Sequence, residues 1–355
     1  MNSEFGRNRF LNQRGYGRRP VTRPEAAMSK LRITAACAAY DRTWPLISGQ
    51  IPIEGCETNF FAIDPSEAFR RAYSTQDFDV TELSASSHIL TTARGDAPYI
   101  GVPAFVSRLF RHSSFYIRTD RGIRSAGDLR GKLVGVTEYQ MTAGLWARGL
   151  LSDDFKVRAS EVRWRSGGMD SPGLTERTPI KLPAEIDLRP IPPDKTLSGM
   201  LEAGELDALI AARAPRCFVQ RAPHIDRLFP DFRAAEEDYY RRTRLFPIMH
   251  LIGIRRSLVE AHPWLAASVM KAFTKAKTIA LREIEDVGIS RASLPWLPAD
   301  VARAKALMGP DIWPYGFKAN QREIESMLRW SKEQGLSDRL VSAQELFAPG
   351  SLEDF

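Results

Sequence analysis

The stretch Asp128-Leu129-Arg130-Gly131-Lys132-Leu133-Val134-Gly135-Val136 governs how the rest of the chain is read. It reads as a short helix, a glycine turn and a strand, and so opens a new α/β unit. A companion pattern lies about seventy residues on, Gly204-Glu205-Leu206-Asp207-Ala208-Leu209-Ile210, a turn running into a strand. Between them the pattern predicts a helix over 141–151, strands over 162–165 and 186–191 around a polar Gly- and Pro-rich insert at 166–183, and a helix over 196–203. Upstream, 31–37, 57–63 and 78–83 read as strands. Asp64-Pro65-Ser66-Glu67 starts a helix, with a capping residue, Pro at the first helical position and Glu three residues after the cap. The apolar segments 99–106 and 114–117 read as buried strands. Downstream, a strand begins at 246–250 and a long amphipathic helix covers 262–284, with Trp264, Leu265, Val269, Met270 and Phe273 spaced for burial. Strands alternating with helices predict an α/β fold with parallel pairing.

A chain of 355 residues is expected to form one large or two ordinary domains. Its 43% apolar and 26% charged residues are those of a globular protein. No run of eighteen apolar residues occurs, so neither a transmembrane helix nor a membrane partner is expected. Residues 1–27 look foreign to the fold: the first five resemble a cloning scar, and the rest are Arg-, Asn- and Gly-rich without apolar periodicity, so disorder is expected there. Six Arg and two Glu in this leader carry +4 of the formal +7, so the remainder has no nucleic-acid footprint. Cys37, Cys56 and Cys217 lack C-x-x-C spacing and fit free thiols in a reducing compartment. The five His show no metal-ligand spacing, so no metal site is expected. Neither Met1 nor Met28 begins a secretory signal, and the expected location is the cytoplasm.

The two glycine-strand patterns, in this order and at this separation, resemble the second-lobe landmarks of type II periplasmic-binding-protein folds. That resemblance implies a two-lobed α/β fold with the ligand cleft between the lobes. Lobe 1 would take 28–122 and 246–355, and lobe 2 would take 123–245, with crossings near 120–127 and 240–250. The fold alone assigns no function.

Six ordered motifs narrow the reading: Tyr40-Asp41-Arg42-Thr43; Phe78-Asp79-Val80-x-Glu82-Leu83-Ser84-x-Ser86-Ser87; Ser107-Arg108-x-Phe110-Arg111-His112-Ser113; Glu138-Tyr139-Gln140-Met141-Thr142; Phe246-Pro247-Ile248-Met249-His250; and Trp313-Pro314-Tyr315-Gly316. Together they resemble the 4,5-dihydroxyphthalate decarboxylase family over residues 30 to 340. The resemblance implies loss of one carboxylate from 4,5-dihydroxyphthalate, giving protocatechuate and carbon dioxide. Two departures stand out: His88 replaces an expected aromatic residue, and Ala211-Ala212-Arg213-Ala214-Pro215 replaces a Thr-Ala-Arg-Met-Pro-like run.

Aromatic decarboxylation without a cofactor needs held carboxylates, electron push from a ring hydroxyl, and a proton for the ring carbon. Arg108 and Arg111 are the expected carboxylate anchors, since guanidinium suits bidentate binding, and His112 is the leading proton donor. Surface ion-pairing for the Arg pair and packing for His112 are the alternatives. Arg42 is a candidate clamp for the second carboxylate and Asp41 a candidate base for a phenol proton; a helix cap beside an exposed Arg is their alternative. Ser84, Ser86 and Ser87 are candidate donors to ligand oxygens or simple caps. Glu138 is the second choice for acid or base, with Tyr139 and Thr142 beside it at a strand's ligand-facing end. Arg213 would supply a cation from the second lobe. His250 reads as a hinge or packing residue with a possible ligand contact. Trp313 and Tyr315 would cover an aromatic ring or plug the core. The expected ligand is a small aromatic dicarboxylate, and a homo-oligomer stays open. A non-catalytic solute-binding protein and a decarboxylase for another aromatic acid are the competing readings.

Overall fold

The β-branched and small residues of Leu31–Cys37 (β1) form a strand whose second half is fully buried. In a computed structural model that describes residues 29–353, β1 pairs in parallel with Cys56–Ala62 (β2) on one side and Val80–Ser84 (β3) on the other. The leader proposed for 1–27 lies outside the described residues. Tyr99–Arg108 (β4) and Ile248–Arg255 (β11) complete this sheet, in the order β2-β1-β3-β11-β4. A second sheet has the order β10-β5-β9-β6-β7-β8, where Phe115–Arg118 is β5, Leu133–Val136 β6, Arg163–Ser166 β7, Leu188–Pro190 β8, Ala208–Ile210 β9 and Ile225–Arg227 β10.

The helices are α1 (Trp44–Ile47), α2 (Pro65–Ser74), α3 (Ala85–Arg94), α4 (Thr142–Phe155), α5 (Leu197–Ala203), α6 (Arg216–Val219), α7 (Phe232–Thr243), α8 (Arg256–Ala261), α9 (Leu265–Glu285), α10 (Leu297–Met308), α11 (Gln321–Glu333) and α12 (Ala343–Leu346). Helix α2 starts as its sequence predicts: the Asp64 side chain accepts from the Ser66 N–H at 2.8 Å, and Pro65 opens the helix. Leu265, Val269, Met270 and Phe273 are buried along α9, whereas Trp264, just before it, is half exposed. Among the described residues no helix is long and apolar enough to cross a membrane, and all three cysteines are buried free thiols.

Parallel pairing holds for β1 with its two neighbours and for β6 with β7 and β9. The crossing strands depart from it. Strand β11 runs antiparallel to both β3 and β4, and β5 runs antiparallel to β9 and β10. This pairing moves the first crossing from 120–127 to 109–114, because β5 already belongs to the second sheet. The second passage between the sheets runs from α7 through 244–247 into β11.

Helices α4 and α11 meet where Gly149 lies against Trp330. A Cβ at position 149 would sit 2.4 to 2.6 Å from the indole ring, and Trp330 is itself stacked edge-on against Trp146 at 4.9 Å. Gly149→Ala is therefore expected to cost about 3 kcal/mol in urea denaturation, through overpacking of two buried indoles. Activity per folded molecule should stay unchanged, since no candidate site residue touches this contact.

Candidate active site

Strand β3 is buried at all five positions, which makes Glu82 an expensive residue to place there. Its carboxylate recovers that cost through three donors. The Ala38 N–H reaches Oε2 at 2.9 Å, and the Tyr40 hydroxyl and His250 Nδ1 reach Oε1 at 2.8 and 2.6 Å. Burial alone would push the Glu82 carboxyl up. The bonds and charge of His250, with the Ala38 and Tyr40 bonds, hold it below the usual range. Glu82 is thus a carboxylate, and His250 donates to it from Nδ1. Burial first, and then the charge of Glu82, push the Tyr40 phenol far up, so it stays protonated as a donor.

The sheet brings more polar groups to this end. His250 is the register partner of Ser84 on β3 and of Ser107 on β4. Its ring stands edge-on to Phe69 at 4.8 Å, and its side chain is 20% exposed. Arg42 lies between the Tyr40 and Trp313 rings, 4.3 and 4.0 Å from their centroids. Its Nε donates to the Val106 carbonyl at 2.7 Å and Nη1 to Asp41 at 2.8 Å. Trp313 is fixed in turn by a bond from Nε1 to the Phe105 carbonyl at 2.9 Å. Tyr315 is buried nearby, with its phenol pushed up by burial and influenced by Arg42, Cys37, Asp41 and Glu82.

The second sheet's loops meet this cluster at the starts of α3 and α4. Thr142 Oγ1 bonds Ser84 Oγ at 2.9 Å and accepts from the Ser86 N–H at 3.1 Å. Ser87 donates to Gln140 Oε1 at 2.6 Å, and Gln140 donates to Glu138 at 2.6 Å. The other Glu138 oxygen accepts from Arg177 at 2.9 Å. Arg177 comes from the polar insert, and its guanidinium lies 5.2 Å from the Phe69 ring that also meets His250. Glu176 beside it is pushed up to about 7 by burial, with the Glu138 charge adding to the rise.

Sequence reading therefore selected Asp41, Arg42, Ser84, Ser86, Ser87, Glu138, Thr142, His250, Trp313 and Tyr315 from one neighbourhood. It passed over Glu82, Tyr40, Ser107 and Arg177. The available signal for Glu82 was an acid inside an otherwise strand-like run, Val80-Thr81-Glu82-Leu83.

Several expectations give way to the geometry. The Arg108 side chain is 0% exposed and donates to the Pro314 and Phe246 carbonyls, both at 2.9 Å, and to Glu323 at 3.3 Å. It ties chain segments together and offers no face to a ligand. Arg111 is buried against the Met249 sulfur, with Nε 3.1 Å away. Tyr139 is fully buried beneath Arg148 and donates to the Gln334 carbonyl at 3.1 Å, so it packs the wall from behind. Arg213 is 81% exposed and pairs with Asp64 at 3.2 Å. His88 is buried, with Nε2 2.8 Å from the Leu346 carbonyl.

His112 is the largest correction. Its ring lies edge-on to Phe229 and Tyr239, at 5.1 and 5.3 Å, on the α7 side and apart from Glu82 and His250. Burial pulls its pKa from 6.5 down to about 4. Between those values the unfolded chain binds a proton that the folded chain refuses. The folded state therefore loses stability as pH falls through that window. His112→Gln should keep full activity and lose about 2 kcal/mol less stability than the parent between about pH 7 and about pH 5, measured by urea denaturation.

No family model matches the chain. A 4,5-dihydroxyphthalate decarboxylase from Comamonas testosteroni is 44% identical over 328 residues, covering 92% of this chain and 99% of the relative. A second, from Pseudomonas putida, is 47% identical over 221 residues, covering 62% of this chain and 86% of the relative. Among solved structures, the periplasmic aliphatic sulphonate binding protein of Escherichia coli aligns over 90% of this chain and 97% of its own, with a TM-score of 0.51 and 12% identity. A periplasmic sulfonate-binding protein from Methylobacillus flagellatus aligns over 91% of this chain and 92% of its own, with a TM-score of 0.50 and 13% identity. At those identities the likeness establishes the two-lobed binding-protein fold alone.

Proposed function

Because the chain belongs to the 4,5-dihydroxyphthalate decarboxylase family, we propose that it converts 4,5-dihydroxyphthalate to protocatechuate and carbon dioxide at the Glu82–His250 pair. The observation that carries the site is the 2.6 Å bond between a buried carboxylate and a partly exposed imidazole. Glu82 fixes His250 with Nδ1 as donor, which leaves Nε2 as the ring nitrogen that passes the proton to the substrate.

The ring hydroxyl para to the departing carboxylate pushes electron density toward the carbon that bears it. That carbon takes the proton from His250 Nε2. The carbon–carboxylate bond then breaks, its electron pair restores the aromatic ring, and neutral carbon dioxide leaves. An ion pair clamped on the departing group would stabilise the ground state and slow this loss of charge. The guanidinium therefore belongs on the carboxylate that stays. Arg42 is placed for it, held flat between two rings with its remaining N–H groups free to fork onto a carboxylate. Asp41 keeps Arg42 oriented through their 2.8 Å pair and takes the role of acceptor for a phenol proton in this reading. Arg177 adds a cation beyond Phe69, oriented by Glu138. Glu138 then acts through Arg177 and Gln140 as a positioning residue. Ser84, Ser107 and Thr142 supply hydroxyls around the ring.

Incubation of the purified protein with 4,5-dihydroxyphthalate, with and without a chelator, tests the reading. Expected is stoichiometric protocatechuate and carbon dioxide at a rate the chelator leaves unchanged. Tight binding without product would replace it with the solute-binding alternative, and chelator-sensitive turnover would sink a metal-free route.

A further inference from the structure

We propose that the protein has a second anion site, for a small carboxylate with an apolar body, between α4 and the C-terminal end of α11. A cavity of about 380 Å³ opens there, large enough for a single-ring ligand. Its walls share no residue with the Arg42, Glu82 and His250 cluster. Four cations line it, Arg148, Arg158, Arg329 and Lys332, against two carboxylates, Glu185 and Glu333.

The four cations are not equivalent. Arg329 is spoken for by Asp153 at 2.6 Å and Glu333 at 3.1 Å. Arg158 is largely exposed and leans on Glu161 at 3.5 Å. Arg148 is 1% exposed, yet no carboxylate hydrogen-bonds it. Its Nε donates to the Gln334 side-chain oxygen at 2.7 Å and Nη2 to the Tyr139 carbonyl at 2.6 Å, and its guanidinium lies 3.7 Å from the Tyr139 ring centroid. Nη1 is buried without a hydrogen-bond partner. Lys332 donates to the Asp338 carbonyl. Two cations at this cavity thus donate hydrogen bonds to neutral acceptors, and one of them is fully buried.

Arg148 is desolvated, and the one carboxyl whose charge is seen to reach it, Glu176, is itself pushed up to about 7 by burial, so a paired anion at the cavity would restore on the order of several kcal/mol. A carboxylate entering the cavity supplies that charge beside Arg148 and Lys332. Pro183, the last residue of the polar insert, and Ile186 just after it offer its body an apolar wall. The Ser152 and Ser160 hydroxyls add neutral donors. The same Arg148 side chain holds the Tyr139 carbonyl, so a ligand here is one residue removed from the Glu138–Thr142 wall of the cleft.

Benzoate is the probe and benzamide its neutral control, titrated into the full chain and followed by tryptophan fluorescence. Trp330 is the reporter, since it neighbours Arg329 and donates to Asp153 at 3.2 Å. Benzoate should bind saturably and benzamide should not. Arg148→Gln and Lys332→Gln should each weaken benzoate by roughly tenfold or more, with decarboxylation by Lys332→Gln unchanged. Arg148 also supports Tyr139 and Gln334, so if Arg148→Gln fails to fold, Lys332→Gln decides alone. Unaltered benzoate affinity in Lys332→Gln would mean binding in the cleft and would overturn the proposal. Equal binding of benzamide, or no saturable signal from the parent, would overturn it as well.

Discussion

His250→Asn is expected to lower kcat for 4,5-dihydroxyphthalate by roughly 10²- to 10⁴-fold, the range for removal of a general acid, while KM moves within about threefold. Asn retains a donor toward Glu82, so the strand pairing of β11 with β3 should persist and the loss should lie in chemistry rather than in folding. Steady-state kinetics with circular dichroism on the same preparation measure both. A variant that keeps parental kcat would remove His250 as the proton source. Glu82→Gln should reproduce much of the loss, because a neutral amide replaces the charge-assisted bond that orients His250 through Nδ1. The double variant should then be little worse than His250→Asn alone, since the two residues act as one unit. Additive losses would mean that Glu82 and His250 work separately.

Arg42→Met should raise KM by roughly 30- to 100-fold, equivalent to about 2–3 kcal/mol for a charge-assisted, forked contact to the retained carboxylate. Its kcat should change far less. Met keeps an apolar body between Tyr40 and Trp313, so the variant separates charge from packing. Arg42→Lys should recover only part of the affinity, because an ammonium keeps the charge but not the planar fork or the stacking on both rings. A KM within twofold of the parent in Arg42→Met would pass the anchoring role to Arg177. The same change at Arg108 should behave differently. Its guanidinium holds two backbone carbonyls and Glu323 in the interior, so Arg108→Met should reduce stability and leave KM of the folded fraction alone.

The contrast between Arg42 and Arg108 shows how far local sequence carries. Both sit in polar motifs at the C-terminal end of a strand, and both carry the same chemistry. One lies between the Tyr40 and Trp313 rings and the other turns into the core, and nothing within a few residues of either distinguishes the two. Arg108, Arg111 and His112 of the Ser107–Ser113 cluster fall away from that neighbourhood for a related reason. A 3-10 turn at His112–Ser114 passes the chain from one sheet to the other, so neighbours in sequence face different surroundings. His112 goes to α7, Arg111 to Met249 and Arg108 to Glu323.

Alternation of apolar and polar residues, the Asp64-Pro65 helix start and the two glycine-strand patterns were sufficient for the α/β class and for the strand positions other than β10. Those signals depend on short-range geometry that a sequence carries directly. The ordered motifs were sufficient for the family. The pairing of Glu82 with His250 was not legible, because the two are 168 residues apart and meet only when β11 inserts beside β3. An imidazole or guanidinium takes its role from burial, from the charge it faces and from the bonds it can make, and each of those is set across the fold.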